Sequence, residues 1–159
     1  MVQLKQVIAE GNDLDTVRQL FREYEAELDE DLCFQSFEAE LKDPLKKYGA
    51  PHGIILLAFW EGDAAGCIAL SPLKEPAACE MKRLYVRPAY RKHGIGRLLV
   101  EAVLQEAKQR QYTHMKLDTL QRLQAAIHLY EQYGFVHTAA YYANPINDVV
   151  YMEKFLTGS

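Results

Sequence analysis

Apolar residues recur along the chain with two different periods. Leu14, Val17, Phe21, Tyr24 and Leu28 fall on one face of a helix that Asn12 or Asp13 can cap. Ile95, Leu98, Leu99, Ala102, Val103 and Ala107 repeat the spacing and predict a second long helix over about Gly94 to Gln111. A shorter helix is predicted over Gln35 to Leu41, stopping before Asp43-Pro44, and another over Gln121 to Tyr133, closed by Gly134. Between these lie alternating or continuous apolar runs that read as strands: Val2 to Ile8, Ile54 to Trp60, Ala65 to Leu70, Cys79 to Val86, Met115 to Thr119, Phe135 to Tyr141 and Asp148 to Phe155. Glu61-Gly62-Asp63 is hairpin-turn chemistry between the second and third of them. The order is α+β, a meander of strands followed by alternating helix and strand. With no repeat or Pro/Gly/Ser linker, residues 1–159 parse as one domain.

Composition adds little to this. Hydrophobic residues at 49% and charged residues at 25% are ordinary for a globular chain. No apolar run approaches the roughly 20 residues of a membrane span, and Met1 to Gly11 lacks the order of a secretion signal, so a cytoplasmic protein without membrane contact is expected. Cys33, Cys67 and Cys79 are odd in number and widely spaced, which predicts reduced, mostly buried thiols.

Charge distribution is more informative than the net charge of -4. Between Phe21 and Asp43 the acids Glu23, Glu25, Glu27, Asp29, Glu30, Asp31, Glu38, Glu40 and Asp43 face only Arg22 and Lys42. Between Met81 and Leu98 the charges are Lys82, Arg83, Arg87, Arg91, Lys92 and Arg97, with no acid. One region suits a cation and the other a polyanion. The basic region ends in Arg91-x-x-Gly94-x-Gly96, where a strand has stopped and a helix begins. Helix N-termini present unpaired N–H groups and partial positive charge, so a glycine-rich entry lets backbone approach an anion. The amides of His93, Gly94, Ile95, Gly96 and Arg97 can wrap a pyrophosphate there, with Arg91 and Lys92 supplying charge. The pattern is neither a Walker loop nor a dinucleotide G-x-G-x-x-G, since position 99 is Leu.

Two motifs in this context, L-x-V-x-P-x-x-R-x-x-G-x-G-x-x-L from Leu84 to Leu99 and A-x-x-L-Y-E-x-x-G-F from Ala126 to Phe135, resemble the GNAT superfamily of acyl-CoA-dependent N-acetyltransferases. The resemblance implies a mixed, mostly antiparallel sheet of about seven strands with helices on both faces and a splay between the fourth and fifth strands. It implies acetyl-CoA as cosubstrate, with Leu84, Tyr85 and Val86 beside the thioester and pantetheine arm. It places Tyr130 near the coenzyme A sulfur and Glu80 where the histone-acetylating branch has its catalytic glutamate. The family's asparagine seven residues before the tyrosine is replaced here by Leu123. The tail "YYANPINDVVYMEKF" resembles a poorly characterised branch of the same family.

An alkylamine with pKa about 10.4 must lose a proton before attack, at roughly 5 kcal/mol near pH 7, and a base can couple that loss to the reaction. Glu80 is the candidate base; the alternative is an exposed carboxylate pairing with Lys82 or Arg83. The resemblance, with its splayed strand, makes the Leu84 or Val86 amide the candidate oxyanion donor. Tyr130 can protonate the departing thiolate, or simply pack in the stripe of Leu123, Ala126 and Ile127. His52, His93, His114, His128 and His137 have no ligand spacing, so no metal is expected. The expected partner is a small-molecule or peptide amine; the acidic helices point to a cationic one, with Glu25, Asp29 and Asp31 as its contacts, and Tyr141, Tyr142 and Asn144 are candidate pocket residues. Nucleic-acid binding is not expected, and a homodimer is, since small members often pair. A non-catalytic acyl-CoA sensor is the alternative function.

Overall fold

The computed structural model describes residues 1–29 and 36–156. Cys33, Asp31 and the predicted start of the second helix at Gln35 lie outside them. The described elements are β1 (Val2–Gln6), α1 (Asn12–Leu28), α2 (Phe37–Lys42), α3 (Pro44–Tyr48), β2 (Ile54–Trp60), β3 (Asp63–Pro72), β4 (Ala78–Val86), a 3-10 turn (Pro88–Tyr90), α4 (Ile95–Gln109), β5 (His114–Leu120), α5 (Gln124–Gln132), β6 (Val136–Thr138) and β7 (Val149–Phe155). The strands form one seven-stranded sheet in the order β1-β2-β3-β4-β5-β7-β6. Every pairing is antiparallel except β4 with β5, which is parallel.

The continuous apolar run of β2 follows from burial on both faces. Ile54, Leu56 and Ala58 pack with α4 and α5 residues such as Leu99, Val103 and Ile127, whereas Ile55 and Leu57 pack with Leu14, Val17 and Phe21 of α1 and Phe37 of α2. Helices α1 to α3 therefore cover one face and α4 and α5 the other.

Several elements differ from the sequence reading. Helix α1 starts at Asn12 behind Gly11 with no side-chain cap hydrogen bond, so neither Asn12 nor Asp13 caps it, and β3 is longer at both ends than expected. Pro44, expected only to end a helix, also opens α3, because its fixed φ suits a first helical position. Helix α5 starts at Gln124 rather than Gln121, since the Gln121 amide donates to the Asp148 carbonyl (2.7 Å) and the Leu123 amide to Leu120 (2.9 Å). Strand β6 stops at Thr138, short of the predicted Tyr141.

The feature that organises the sheet is an irregularity in β4. Cys67 pairs with Tyr85 and Ala69 with Lys82, so Ile68 alone opposes Arg83 and Leu84. Arg83 takes the extra residue's place with φ 63°, a left-handed conformation that bends the strand as bulges do. Pairing with β5 covers only Ala78 with His114, Cys79 with Met115 and Glu80 with Lys116. Beyond those three pairs the two strands part.

A non-glycine residue at this φ needs its surroundings to hold it. The buried Arg83 guanidinium donates to both oxygens of the buried Glu40 carboxylate, each at 2.9 Å, and lies over the rings of Tyr24 (5.8 Å) and Phe37 (5.3 Å). Burial pushes the Glu40 carboxyl upward, but the Arg83 hydrogen bonds and charge, with Lys47 at 3.6 Å, outweigh it and hold the pKa below its ordinary value. A carboxylate so depressed stabilises the fold fully above the ordinary range, about pH 4.3, and loses that contribution as pH falls through the lowered value. Glu40→Ala would strand a buried cation, at a cost of about 3 to 5 kcal/mol. The expected drop in melting temperature is about 10 °C at neutral pH, with the gap to wild type closing only below about pH 4. Equal melting temperatures for both proteins at pH 7 would show that the pair does not hold the bulge.

Candidate active site

The parting of β4 and β5 makes a slot through the sheet. Tyr24, Lys82, Leu84, Asp118 and Tyr130 are among its walls, and its cavity is ≈ 40 Å³. On one side it adjoins a groove of ≈ 610 Å³ between the β4–α4 turn and α5, and Leu84, Leu123 and Ala126 belong to slot and groove alike. On the other side lies a chamber of ≈ 510 Å³ walled by Glu80, Tyr141 and Tyr142, and Lys82 belongs to slot and chamber alike.

The groove meets the start of α4, which presents backbone rather than side chains. Gly94 caps α4 with φ 75° and no side-chain cap hydrogen bond, and a Cβ added there would meet nothing within 4 Å. Leu98 is the first helical amide used internally, bonding the Gly94 carbonyl at 3.1 Å, so the amides of Ile95, Gly96 and Arg97 are left to the N-terminus. A Cβ on Gly96 would stand 3.7 Å from Leu129 and 3.9 Å from Val86, so this glycine closes the turn onto α5 and β4. The donor set fits a pyrophosphate, which needs several converging N–H groups and little bulk.

Side chains of the turn are distributed differently from the sequence reading. Arg91 and Lys92 line the groove, but Arg91 is an anchor: its Nε donates to the Val86 carbonyl at 2.9 Å and its Nη2 to Glu27 of α1. His93 stacks on Trp60 with centroids 4.1 Å apart. Arg97 reaches α5, donating to Gln132 Oε1 at 2.6 Å and to the Tyr133 hydroxyl at 3.4 Å. His93 and Arg97, both expected at the cofactor, are thus not among the residues that line the groove. Tyr85 points to the α1 face, where its hydroxyl donates to Glu23 Oε1 at 3.3 Å. Leu84 and Val86 line the groove. The Arg87 amide donates inward to Ala65 of β3 at 2.8 Å, and amides alternate along a strand, so the Val86 amide faces the opened edge.

Glu80 is buried, unlike the exposed alternative considered for it, and Arg83 is not its partner. Its Oε2 accepts from the Tyr141 hydroxyl at 2.7 Å, and Lys82 Nζ lies 3.9 Å from Oε1. Burial pulls the Lys82 ammonium down to about 8, with Glu80 opposing the shift. Burial and the Glu80 charge push the Tyr141 phenol well above its ordinary value. Tyr142 donates to Asp118 and accepts from Asn144 Nδ2 at 2.9 Å, and the rings of Tyr141, Tyr142 and Tyr151 meet edge to face. Tyr130 lines the slot and also packs on Phe135 (5.9 Å), so the two roles considered for it share one position. Burial raises its phenol well above the ordinary value.

Lys82, Lys116 and Asp118 were not picked out by the sequence as site residues. A signal existed for two of them. Lys116 and Asp118 alternate with the buried Met115 and Leu117 on β5, so both face one side of a strand next to Glu80.

The acidic helices look different in three dimensions. Glu23 takes Arg87 at 3.0 and 2.9 Å, Glu27 takes Arg91, and Glu40 takes Arg83, so these acids meet the basic region of the same chain. Cys67 and Cys79 are buried free thiols, the latter pushed up to about 12 by burial. Among the described residues no group of three or more His, Cys, Asp or Glu could hold a metal ion, and no helix is long and apolar enough to cross a membrane.

Comparison with known proteins agrees with this geometry. The model of the acetyltransferase (GNAT) family matches residues 14–135. An uncharacterized N-acetyltransferase of Schizosaccharomyces pombe is 49% identical over 141 residues, covering 88% of this chain and 86% of that protein. Among solved structures, a GNAT-family acetyltransferase from Staphylococcus aureus superposes with a TM-score of 0.79 at 18% identity, over 98% of this chain and 100% of that one. The PaiA N-acetyltransferase of Thermoplasma acidophilum, solved in complex with coenzyme A, superposes at 0.71 with 18% identity, over 98% of this chain and 99% of that one. The match over most of the chain, with a parallel β4–β5 pair splayed at a glycine-capped helix, shows that this protein belongs to the GNAT family of acetyltransferases.

Proposed function

We propose that this protein moves an acetyl group from acetyl-CoA to a primary amine by direct attack of the amine on the thioester. The observation that carries the reading is the row of three neighbouring cavities, groove, slot and chamber, that share lining residues, with a glycine-capped helix start at one end and a buried carboxylate at the other. Acetyl-CoA supplies the activated acyl group; the chain's residues orient it and move protons.

The amides of Ile95, Gly96 and Arg97 receive the pyrophosphate, and Leu84, Leu123 and Ala126 flank the arm that leads into the slot. The unpaired edge of β4 offers the Val86 amide, and with the same alternation the Leu84 amide, to the carbonyl oxygen as negative charge develops. Fixed backbone donors in a water-poor slot stabilise that charge without reorganising. Glu80, held by Tyr141 and near Lys82, accepts the amine's proton, directly or through one water. Tyr130 returns a proton to the thiolate. Its raised pKa is no obstacle, because the same burial raises the pKa of a thiol in the slot, and only the difference between the two matters.

Release of coenzyme A in the presence of an amine tests the reading. Glu80→Gln preserves the Tyr141 contact and should lower kcat about 100- to 1,000-fold while acetyl-CoA affinity stays within twofold. Tyr130→Phe should lower kcat about 10- to 100-fold. Full turnover in both variants would remove these residues from the mechanism. Gly94→Asp places a carboxylate in the cradle at positive φ, costing about 1 to 2 kcal/mol of stability. Its expected effect is at least a 100-fold loss of acetyl-CoA affinity by calorimetry in a protein that still folds; retained affinity would show that the cofactor binds elsewhere.

A further inference from the structure

The chamber beside Glu80 is unusually rich in cations for a site that receives an amine. Its charged walls are Lys47 of α3, Lys74 and Glu75 of the β3–β4 turn, Glu80 and Lys82 of β4, and Lys116 of β5. Four positive side chains face two negative ones. The carboxylates within reach are also shared. Glu75 serves both Lys116 at 3.0 Å and His114 at 2.9 Å. Glu80 is taken by the Tyr141 hydroxyl as well as approached by Lys82, and Asp118, whose charge also acts on Lys82, lies outside the chamber lining and accepts from Tyr142. Lys47 reaches Glu40 only at 3.6 Å, and both oxygens of that carboxylate are held more closely by Arg83.

The acidic residues that suggested a cationic acceptor do not offset this. Glu25 and Asp29, the expected contacts, do not line the chamber, Asp31 lies outside the described residues, and Glu23, Glu27 and Glu40 are held by Arg87, Arg91 and Arg83 outside its lining. A polyamine entering this chamber would meet lysines. An acid group entering it would meet their counter-charge, and partial burial strengthens that attraction.

Resting on the transferase reading above, we propose that the acceptor is an amine bearing its own acid group, whose negative charge is received by Lys47, Lys82 and Lys116 while its amine is presented to Glu80. The spacing suits a small molecule. The Tyr141 side chain bridges the two functions, giving its hydroxyl to Glu80 at 2.7 Å while Lys116 Nζ stands 5.3 Å from its ring centre. An amine and an acid a few bonds apart, as in an amino acid or an amine phosphate, reach both ends. The chamber's ≈ 510 Å³ holds such a molecule with room for a side chain. The acid also orients the amine, because a ligand held at both ends loses its freedom before attack.

Matched pairs that differ only in the acid test this: alanine with alaninamide, β-alanine with its amide, and phosphoethanolamine with ethanolamine, with spermidine as the cationic member. In the wild-type protein kcat/KM is expected to be at least about tenfold higher for the acid of at least one pair than for its neutral partner, and spermidine to be the poorest substrate. Whether the carboxylate or the phosphate pair shows the larger ratio identifies the acid. Lys116→Ala and Lys47→Ala should bring that ratio toward one, Lys116→Arg should restore it, and Glu75→Gln should raise it. Equal or better use of the amides, or of spermidine, overturns the proposal and leaves the transferase reading intact. Should no member be turned over, calorimetry with the coenzyme A-saturated protein decides. Lysine-dependent binding of the acids alone supports the acid-receiving role of the lysines and counts against the transferase reading. Binding of neither, or of both equally, overturns it.

Discussion

The ion pair between Arg83 and Glu40 is the contact on which the site depends. It fixes an arginine at φ 63° in the middle of a strand, where two residues of β4 answer one of β3. Because the bulge follows within three residues of the last β4–β5 pair, the bend it imposes and the end of pairing coincide. The energetic logic is that of a buried pair: the desolvation of both ions is large, and the bidentate geometry, two aromatic faces and a nearby lysine offset it only as a set. What the pair supplies is one defined strand geometry. The slot between the groove and the chamber, and the backbone amides turned toward it, exist because β4 cannot run straight.

The two oppositely charged regions of the sequence carry this further. Glu23 and Glu27 lie one helical turn apart on α1, and Arg87 and Arg91 are likewise four residues apart in the segment leaving β4. Their pairing fastens the β4–α4 turn to the helix that covers the opposite face of the sheet. Arg91 also holds the Val86 carbonyl, so the strand end, the turn and α1 are tied at one side chain. Charge segregation along the chain thus becomes charge neutralisation in the fold, and net cationic character survives in a different place, the chamber lined by Lys47, Lys74, Lys82 and Lys116.

Much of this was legible in the residues and some was not. Strand β2 could be read to its ends because burial on both faces leaves an unbroken apolar run. The glycine-capped start of α4 was legible because it rests on local chemistry, a positive φ that glycine accepts freely. The bulge was not, since nothing in Lys82-Arg83-Leu84 marks a non-glycine residue for the left-handed region; it is imposed by Glu40, 43 positions away in sequence. Partner choice among charges was legible only in part. Sequence proximity offers Lys82 or Arg83 to Glu80; Lys82 does lie 3.9 Å from it, but the fold adds a tyrosine from beyond β6 and sends Arg83 to the other face. Of the expected pocket residues Tyr141 and Tyr142 line the chamber and Asn144 does not, the segment between β6 and β7 being the stretch that covers the open side of β4 and β5.

A crystal structure of the protein with coenzyme A tests the central claim most directly, because it locates the sulfur. The account predicts the pyrophosphate on the amides of Ile95, Gly96 and Arg97, the sulfur in the slot between Leu84 and Tyr130, and the Arg83–Glu40 pair intact beside it. A sulfur outside the slot, or a β4 that straightens and pairs with β5 beyond Glu80 when coenzyme A is bound, would contradict it.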